Sequence, residues 1–258
     1  MNPTKHNQQA WDKKAEDGSR YTKSVSSEVI KRSRSGQWSI SVTTDKPVPR
    51  AWFPEILDGL EILCLASGGG QQAPVLAAAG ANVTVTDLSR KQLDQDEAVA
   101  KRDGLKLTAV QANMTDLRMF GNDSFDLIVH PVSNLFVDDV QPVWLEAARV
   151  LKRGGQLIAG FTNPLLWIFD DAQEQQDILD VKHSIPSSTL DRLATEEERR
   201  LFEQTHETIE YAHTLESQIQ GQINAGFAIT GFYEDDFGRT RILDTYIKSF
   251  IATKAIKV

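Results

Sequence analysis

The sequence predicts an α/β fold built on a doubly wound, mostly parallel sheet, and three observations carry that expectation. Short runs rich in Ile, Leu and Val alternate with helix-length segments between residues 59 and 163, the pattern of strands covered on both faces. A triple glycine closes the first run, where a parallel strand must turn sharply into its crossover helix. Two further strand-like runs end the chain with only a short connection between them, which suggests an antiparallel pair.

Residues 1–58 mix short amphipathic helix patterns, Trp11 to Ala15 and Ser26 to Arg32, with the connector "DKPVPRAWFPEILDG", whose three prolines oppose regular structure. This stretch reads as an arm or cap laid on the main domain, residues 59–258. There the expected strands are "EILCLA" (61–66), "NVTVTD" (82–87), "LKLTAVQAN" (105–113), "FDLIVHP" (125–131) and "GQLIAGFTN" (155–163). Between them lie "GQQAPVLAAAG" with its closing Gly80, "SRKQLDQDEAVAKRDG" opening on Ser89 as an N-cap, and "DDVQPVWLEAARVLKRGG" closing on two glycines. The connector "MTDLRMFGNDS" is helix-poor. Residues 164–224 break the rhythm: a loop-like "HSIPSSTLDRL" precedes a charged, mostly helical stretch from Ala194 onward, read as an insertion that caps the substrate. "GFAITGFYED" and "DTYIKSFIATKAI" then form a terminal hairpin with a tight connection, bringing the sheet to seven strands with a terminal antiparallel member.

Composition narrows the function. A net charge of -8 disfavours duplex nucleic acid as the main partner, and the N-terminal cations are interleaved with Asp12, Glu16, Asp17 and Glu28 as on a solvated helix face. Cys64 is the only cysteine, which rules out an intrachain disulfide, a cysteine zinc cluster and thiol-relay chemistry. No apolar signal-peptide core and no run of membrane-spanning length is present, so a cytoplasmic protein without a membrane partner is expected.

Gly68, Gly70 and Ala73 fit G-x-G-x-x-[GA], a turn that lets backbone approach a nucleotide closely. Asp87 ends the second strand 17 residues past Gly70, where a carboxylate can accept both hydroxyls of an adenosine ribose. NAD and S-adenosylmethionine share that adenosine, so the fingerprint names the nucleoside and leaves the rest of the cofactor open.

Taken together, "ILCLASGGGQ", "VTVTDLS", "VQANMTDL", "FDLIVHPVSNLF" and "EAARVLKRGGQLIAGF" resemble, in this order and spacing, the class I S-adenosylmethionine-dependent methyltransferases. "LASGGGQQ" with "HPVSN" is similar to a bacterial branch of that family. The resemblance implies a Rossmann-like methyltransferase sheet with its seventh strand inserted antiparallel beside the fifth. It further implies that Ala66, Ser67, Gly68, Gly69 and Gly70 wrap the methionine moiety and adenosine, that Asp87 holds the ribose, and that Leu88 packs on adenine. Asn113 and Met114 would read the adenine edge, Asn113 through its side-chain oxygen in place of the family's frequent Asp, and His130 with Pro131 would lie beside the sulfonium. Tyr21 resembles the aromatic that covers the methionine end in many relatives; it is equally placed to be a core aromatic of the arm.

Methyl transfer from a sulfonium is an in-line displacement that alignment and water exclusion can largely drive, with a general base needed only where the acceptor must lose a proton. His130, at a strand's C-terminal end, and His213, in "YAHTLESQI", are the catalytic candidates, with structural or capping roles as their alternatives. No metal is expected, since the end of the fourth strand offers "HPVS" rather than a carboxylate and amide cluster, and the same stretch lacks the Asn/Asp-Pro-Pro-aromatic pattern of amino-methylating DNA enzymes. A small-molecule acceptor is expected between arm and insertion, where Trp38, Trp52, Phe53, Trp167 and Phe169 either line a pocket or form a core. A tRNA or protein acceptor, an NAD-dependent oxidoreductase and a non-catalytic S-adenosylmethionine binder stay open as alternatives.

Overall fold

Alternation along the first strand sets up the two layers. In β1 (Glu61–Leu65), Ile62 and Cys64 enter one apolar cluster and Leu63 and Leu65 the other, all fully buried, because successive side chains of a strand point to opposite faces. The computed structural model describes residues 2–258. Its main sheet comprises β1, β2 (Asn82–Asp87), β3 (Leu107–Gln111), β4 (Phe125–His130), β5 (Leu151–Thr162), β8 (Phe227–Asp235) and β9 (Phe250–Lys257), in the order β3-β2-β1-β4-β5-β9-β8. The first five strands run parallel, and β9 lies antiparallel between β5 and β8. The short β6 (Ser187–Ser188) and β7 (Tyr211–Ala212) pair separately within residues 164–224.

Helices cover both faces. Residues of α3 (Gln72–Ala78) and α4 (Arg90–Asp103) pack with Ile62 and Cys64, while Val143, Trp144 and Ala147 of α5 (Gln141–Val150) pack with Leu63 and Leu65. Ser89 caps α4 as its sequence position suggests: its Oγ accepts the Gln92 N–H at 3.1 Å. The remaining helices are α1 (Pro3–Glu16), α2 (Ser27–Arg34), α6 (Asp171–Glu174), α7 (Glu196–Thr205) and α8 (Gly221–Asn224). No helix among the described residues is long and apolar enough to cross a membrane.

Residues 1–58 wrap the C-terminal ends of the strands. The Val25 N–H donates to Gly70 O at 2.9 Å, and Val132 N–H donates to Val42 O at 3.0 Å. Gly160 in β5 accommodates that same Val42 carbonyl: a Cβ on residue 160 would sit 1.9 Å from its oxygen. From α1, Asn7 closes a two-way hydrogen bond with Ile209, donating from Nδ2 to its carbonyl at 2.9 Å and accepting its N–H at 2.8 Å.

Two expectations need correction. The terminal strands do form an antiparallel pair, with β9 inserted antiparallel beside β5 as the resemblance implies, but their connection runs from residue 236 to 249 and contains a 3₁₀ turn at Ile242–Thr245, so it is not tight. The stretch from Ala194 is less helical than expected: α7 stops at His206, which turns into the left-handed region (φ 53°), and β7 follows. Ile209 is fully buried, and its pairing with Asn7 holds extended backbone where the local charge pattern suggested helix.

Gly160→Ala is expected to destabilise the protein by at least about 2 kcal/mol, because backbone rather than a pliable side chain must move. Urea unfolding followed by circular dichroism measures the effect, and tryptic cleavage within residues 1–58 should accelerate in parallel.

Candidate active site

The strand order reverses at β1, and in open α/β sheets ligands collect outside the carboxyl ends of the strands at such a point. A cavity of about 870 Å³ opens there. Its floor follows the strands in turn: Ala66, Ser67 and Gly68 after β1, Asp87 and Leu88 closing and following β2, Ala112, Asn113 and Met114 after β3, Pro131 to Ser133 after β4, and Thr162 ending β5. The arm contributes Trp11, Lys14 and Tyr21 among others, and the 164–224 segment contributes Trp167, Arg192 and Glu210.

Two carboxylates, half-buried Asp87 and fully buried Asp96, hold the glycine loop. Asp87 accepts the Gly68 N–H on Oδ2 and the Ser89 N–H on Oδ1, each at 2.9 Å, and Asp96 of α4 accepts the Gly69 N–H at 3.0 Å. A Cβ on Gly68 would lie 2.6 Å from Gln92 Cβ and 3.0 Å from Asp87 Oδ2, so only glycine brings the backbone this close. Burial pushes Asp87 up to about 6 against the stabilising backbone N–H groups, and pushes Asp96 up to about 7. Asp96 Oδ1 and Gln92 Oε1, one helical turn apart, are buried acceptors without a donor, a deficit that a proton on Asp96 relieves.

The family model described as "Methyltransferase domain" matches residues 63–159, from β1 into β5. The protein named "Uncharacterized methyltransferase YbaJ" from Bacillus subtilis is 54% identical over 253 residues, covering 98% of both chains. The chain belongs to the methyltransferase family. Among solved structures, this methyltransferase shares its fold with an S-adenosylmethionine dependent methyltransferase from Mesorhizobium loti, at a TM-score of 0.62 and 20% identity over 80% of this chain and 94% of that one. It shares it also with geranyl diphosphate C-methyltransferase from Streptomyces coelicolor, solved with Mg2+, geranyl diphosphate and S-adenosyl-L-homocysteine, at 0.52 and 14% identity over 79% and 76%.

Within the methyltransferase, the residues expected from sequence divide into three groups. Ala66, Ser67, Gly68, Asp87, Leu88, Asn113, Met114, Pro131 and Tyr21 all line the cavity. Tyr21 lies at the rim, 48% exposed, with the Arg20 guanidinium 4.9 Å from its ring centroid, so it is not a core residue. Asn113 Oδ1 already accepts the Thr115 N–H at 3.1 Å, which leaves one lone pair for a ligand. Gly69 and Gly70 are off the cavity wall: their left-handed backbone (φ 119° and 71°) faces Tyr21 O, Ser24 and α4, so they shape the loop from behind.

The histidines are the main correction. His130 is fully buried beneath the floor, with Nδ1 2.9 Å from Leu65 O and Nε2 2.7 Å from Asn134 Oδ1. Burial lowers its pKa, and neither nitrogen is available to an acceptor molecule. His213 lies outside any helix. It follows β7, buried, with Nε2 3.0 Å from Asn134 O and 2.9 Å from Val137 O, and its pKa is lowered for the same reason. Both are structural side chains that brace the loop after β4. Of the aromatic candidates, Trp167 lines the cavity, while Trp38, Trp52 and Phe53 join the sheet core and Phe169 packs at the edge of the 164–224 cluster.

Sequence reasoning passed over Lys14, Arg192 and Glu210, which carry most of the charge on the far wall. Glu210 sits in "ETIEYAHT", where polar Thr208 and Glu210 alternate with apolar Ile209 and Tyr211, a short strand signal inside a charged stretch. Among the described residues no three His, Cys, Asp or Glu side chains cluster as metal ligands.

The raised Asp96 value makes stability fall as pH rises. The folded state binds more protons than the unfolded chain between the ordinary carboxylate value of 3.8 and about 7, so unfolding free energy declines across that window. Asp87 acts in the same direction. Urea midpoints of the wild type are therefore expected to drop between pH 4 and 7, and to drop less in Asp96→Asn.

Proposed function

We propose that the protein uses S-adenosylmethionine to methylate a small molecule held between the strand ends, the arm and the 164–224 segment. The observation that carries this reading is the partly exposed Asp87 carboxylate at the cavity end of β2, pinned against a glycine loop too tight for any Cβ. Each Asp87 oxygen is oriented by one backbone N–H and retains a lone pair, the acceptor set that two ribose hydroxyls require. Leu88 and Met114 would flank adenine, Asn113 would meet its edge, and Ala66 to Gly68 would run along the rest of the molecule. When bound, S-adenosylmethionine supplies an electrophilic methyl group on a sulfonium.

The chain's own contribution is orientation and exclusion of water. Pro131 to Ser133 form a rigid lip, because Ser133 Oγ donates to Ala66 O at 2.8 Å and His130 and His213 fix the turn from below. The arm and the 164–224 segment, locked together through Asn7 and Ile209, are the reason to expect a small acceptor: they lie over the strand ends and bound the cavity to about 870 Å³. Antiparallel β9 beside β5 favours this reading over an NAD-dependent oxidoreductase.

Calorimetric titration with S-adenosylmethionine, S-adenosylhomocysteine and NAD tests the cofactor. Binding of the first two is expected, falling by at least about tenfold in Asp87→Ala, a loss of about 1.4 kcal/mol or more; binding of NAD alone overturns the proposal. Because ribose hydroxyls bond to the charged carboxylate, S-adenosylhomocysteine affinity should weaken as pH falls below about 6, by up to about tenfold per pH unit.

A further inference from the structure

We propose that Glu210 is the proton acceptor of the substrate half of the cavity, and that the substrate is a small aromatic molecule whose reacting atom is a hydroxyl oxygen. This rests on the methyltransferase reading above.

Glu210 is anchored on three sides and free on one. Its N–H donates to Thr189 Oγ1 at 3.1 Å, its carbonyl accepts the Thr189 N–H at 2.9 Å, and its Oε1 accepts the Thr208 hydroxyl at 2.9 Å. Oε2 makes no hydrogen bond among the described residues and is not sealed inside protein, and the residue lines the cavity. A carboxylate with one oxygen pinned and the other open presents a lone pair in a fixed direction, as proton transfer requires. No other group on this wall is so placed. His130 has both nitrogens engaged with protein oxygens, His213 is held through Nε2 and does not line the cavity, Asp87 belongs to the nucleoside end, Asp45 is exposed, and Asp171 is an exposed partner of Arg192 at 2.8 Å.

The surroundings select the substrate. Trp11, Phe136, Trp167, Phe237 and Phe250 supply an aromatic lining. The charged groups bearing on Glu210 are Lys14 from α1, Arg192 from the turn before α7, and the neighbouring Glu207. With Arg241 also on the wall, held by Glu174, three cations oppose an ammonium substrate. Desolvation keeps the Glu210 carboxyl above its ordinary range, which improves its match to a hydroxyl proton.

In the step assigned to Glu210, the substrate O–H bond breaks, its electron pair stays on oxygen, and the proton bonds to Oε2, leaving a neutral carboxylic acid. The oxygen pair forms the new bond to the methyl carbon while the carbon–sulfur pair departs with sulfur, so charge balances. The proton then passes to water when product leaves.

The test uses 4-nitrophenol, whose anion is coloured, bound to wild type, Glu210→Gln and Thr208→Val. Calorimetry with S-adenosylhomocysteine on the same samples reports whether each variant is folded and whether the methyltransferase reading itself stands. With wild type the bound probe should ionise at higher pH than the free probe. In Glu210→Gln the midpoint should fall by about one unit or more, about tenfold more anion at a given pH. In Thr208→Val it should rise, since losing the hydroxyl makes the carboxylate more basic. Equal midpoints in all three proteins, or no saturable probe binding by wild type that does bind S-adenosylhomocysteine, overturn the role of Glu210. Failure of wild type to bind S-adenosylhomocysteine overturns instead the reading on which it rests.

Discussion

Two carboxylates, one half-buried and one fully buried, accepting backbone N–H groups from one glycine loop are the interaction on which the rest of this structure depends. Asp87 ends β2 and Asp96 lies on the inward face of α4, and between them they take the N–H groups of Gly68 and Gly69. The loop after β1 is thereby tied to the next strand and to the helix beyond it. Carboxylates with so little water cost free energy in their charged form, and their raised pKa values record that cost. A chain that tolerates it obtains an acceptor group held at one depth and angle.

The arm builds on that loop. Val25 bonds to Gly70 O, Ser24 Oγ lies 3.0 Å from Gln95 Oε1, and Asp12 accepts the Ser89 hydroxyl at 2.6 Å. Residues 1–58 are thus registered on the same few backbone atoms that shape the nucleoside end, and α1 carries that register onward to the 164–224 segment through Asn7. Both walls of the cavity trace back to one turn. Its far wall is consequently positioned by contacts between sequence-distant segments, which set the direction of side chains such as Glu210.

The family and the fold leave the acceptor undecided for a physical reason. Strand ends, glycine loop and carboxylate are set by the sheet, and function lives in sites grafted onto such a fold.

Strands β1 to β5, the glycine loop and Asp87 were legible because each rests on a local rule: period-two apolar runs, φ freedom at glycine, and a carboxylate at a strand end. The sequence by itself therefore determined the sheet, its switch point and the glycine-loop side of the cavity. Tertiary structure decided the rest. His130 and His213 occupy promising sequence positions, yet packing turns both into braces, and Asn7 pulls Ile209 and its neighbour Glu210 out of an expected helix into an extended wall. Burial and long-range hydrogen bonding set the direction of a side chain and the availability of its atoms, and neither is written in local spacing.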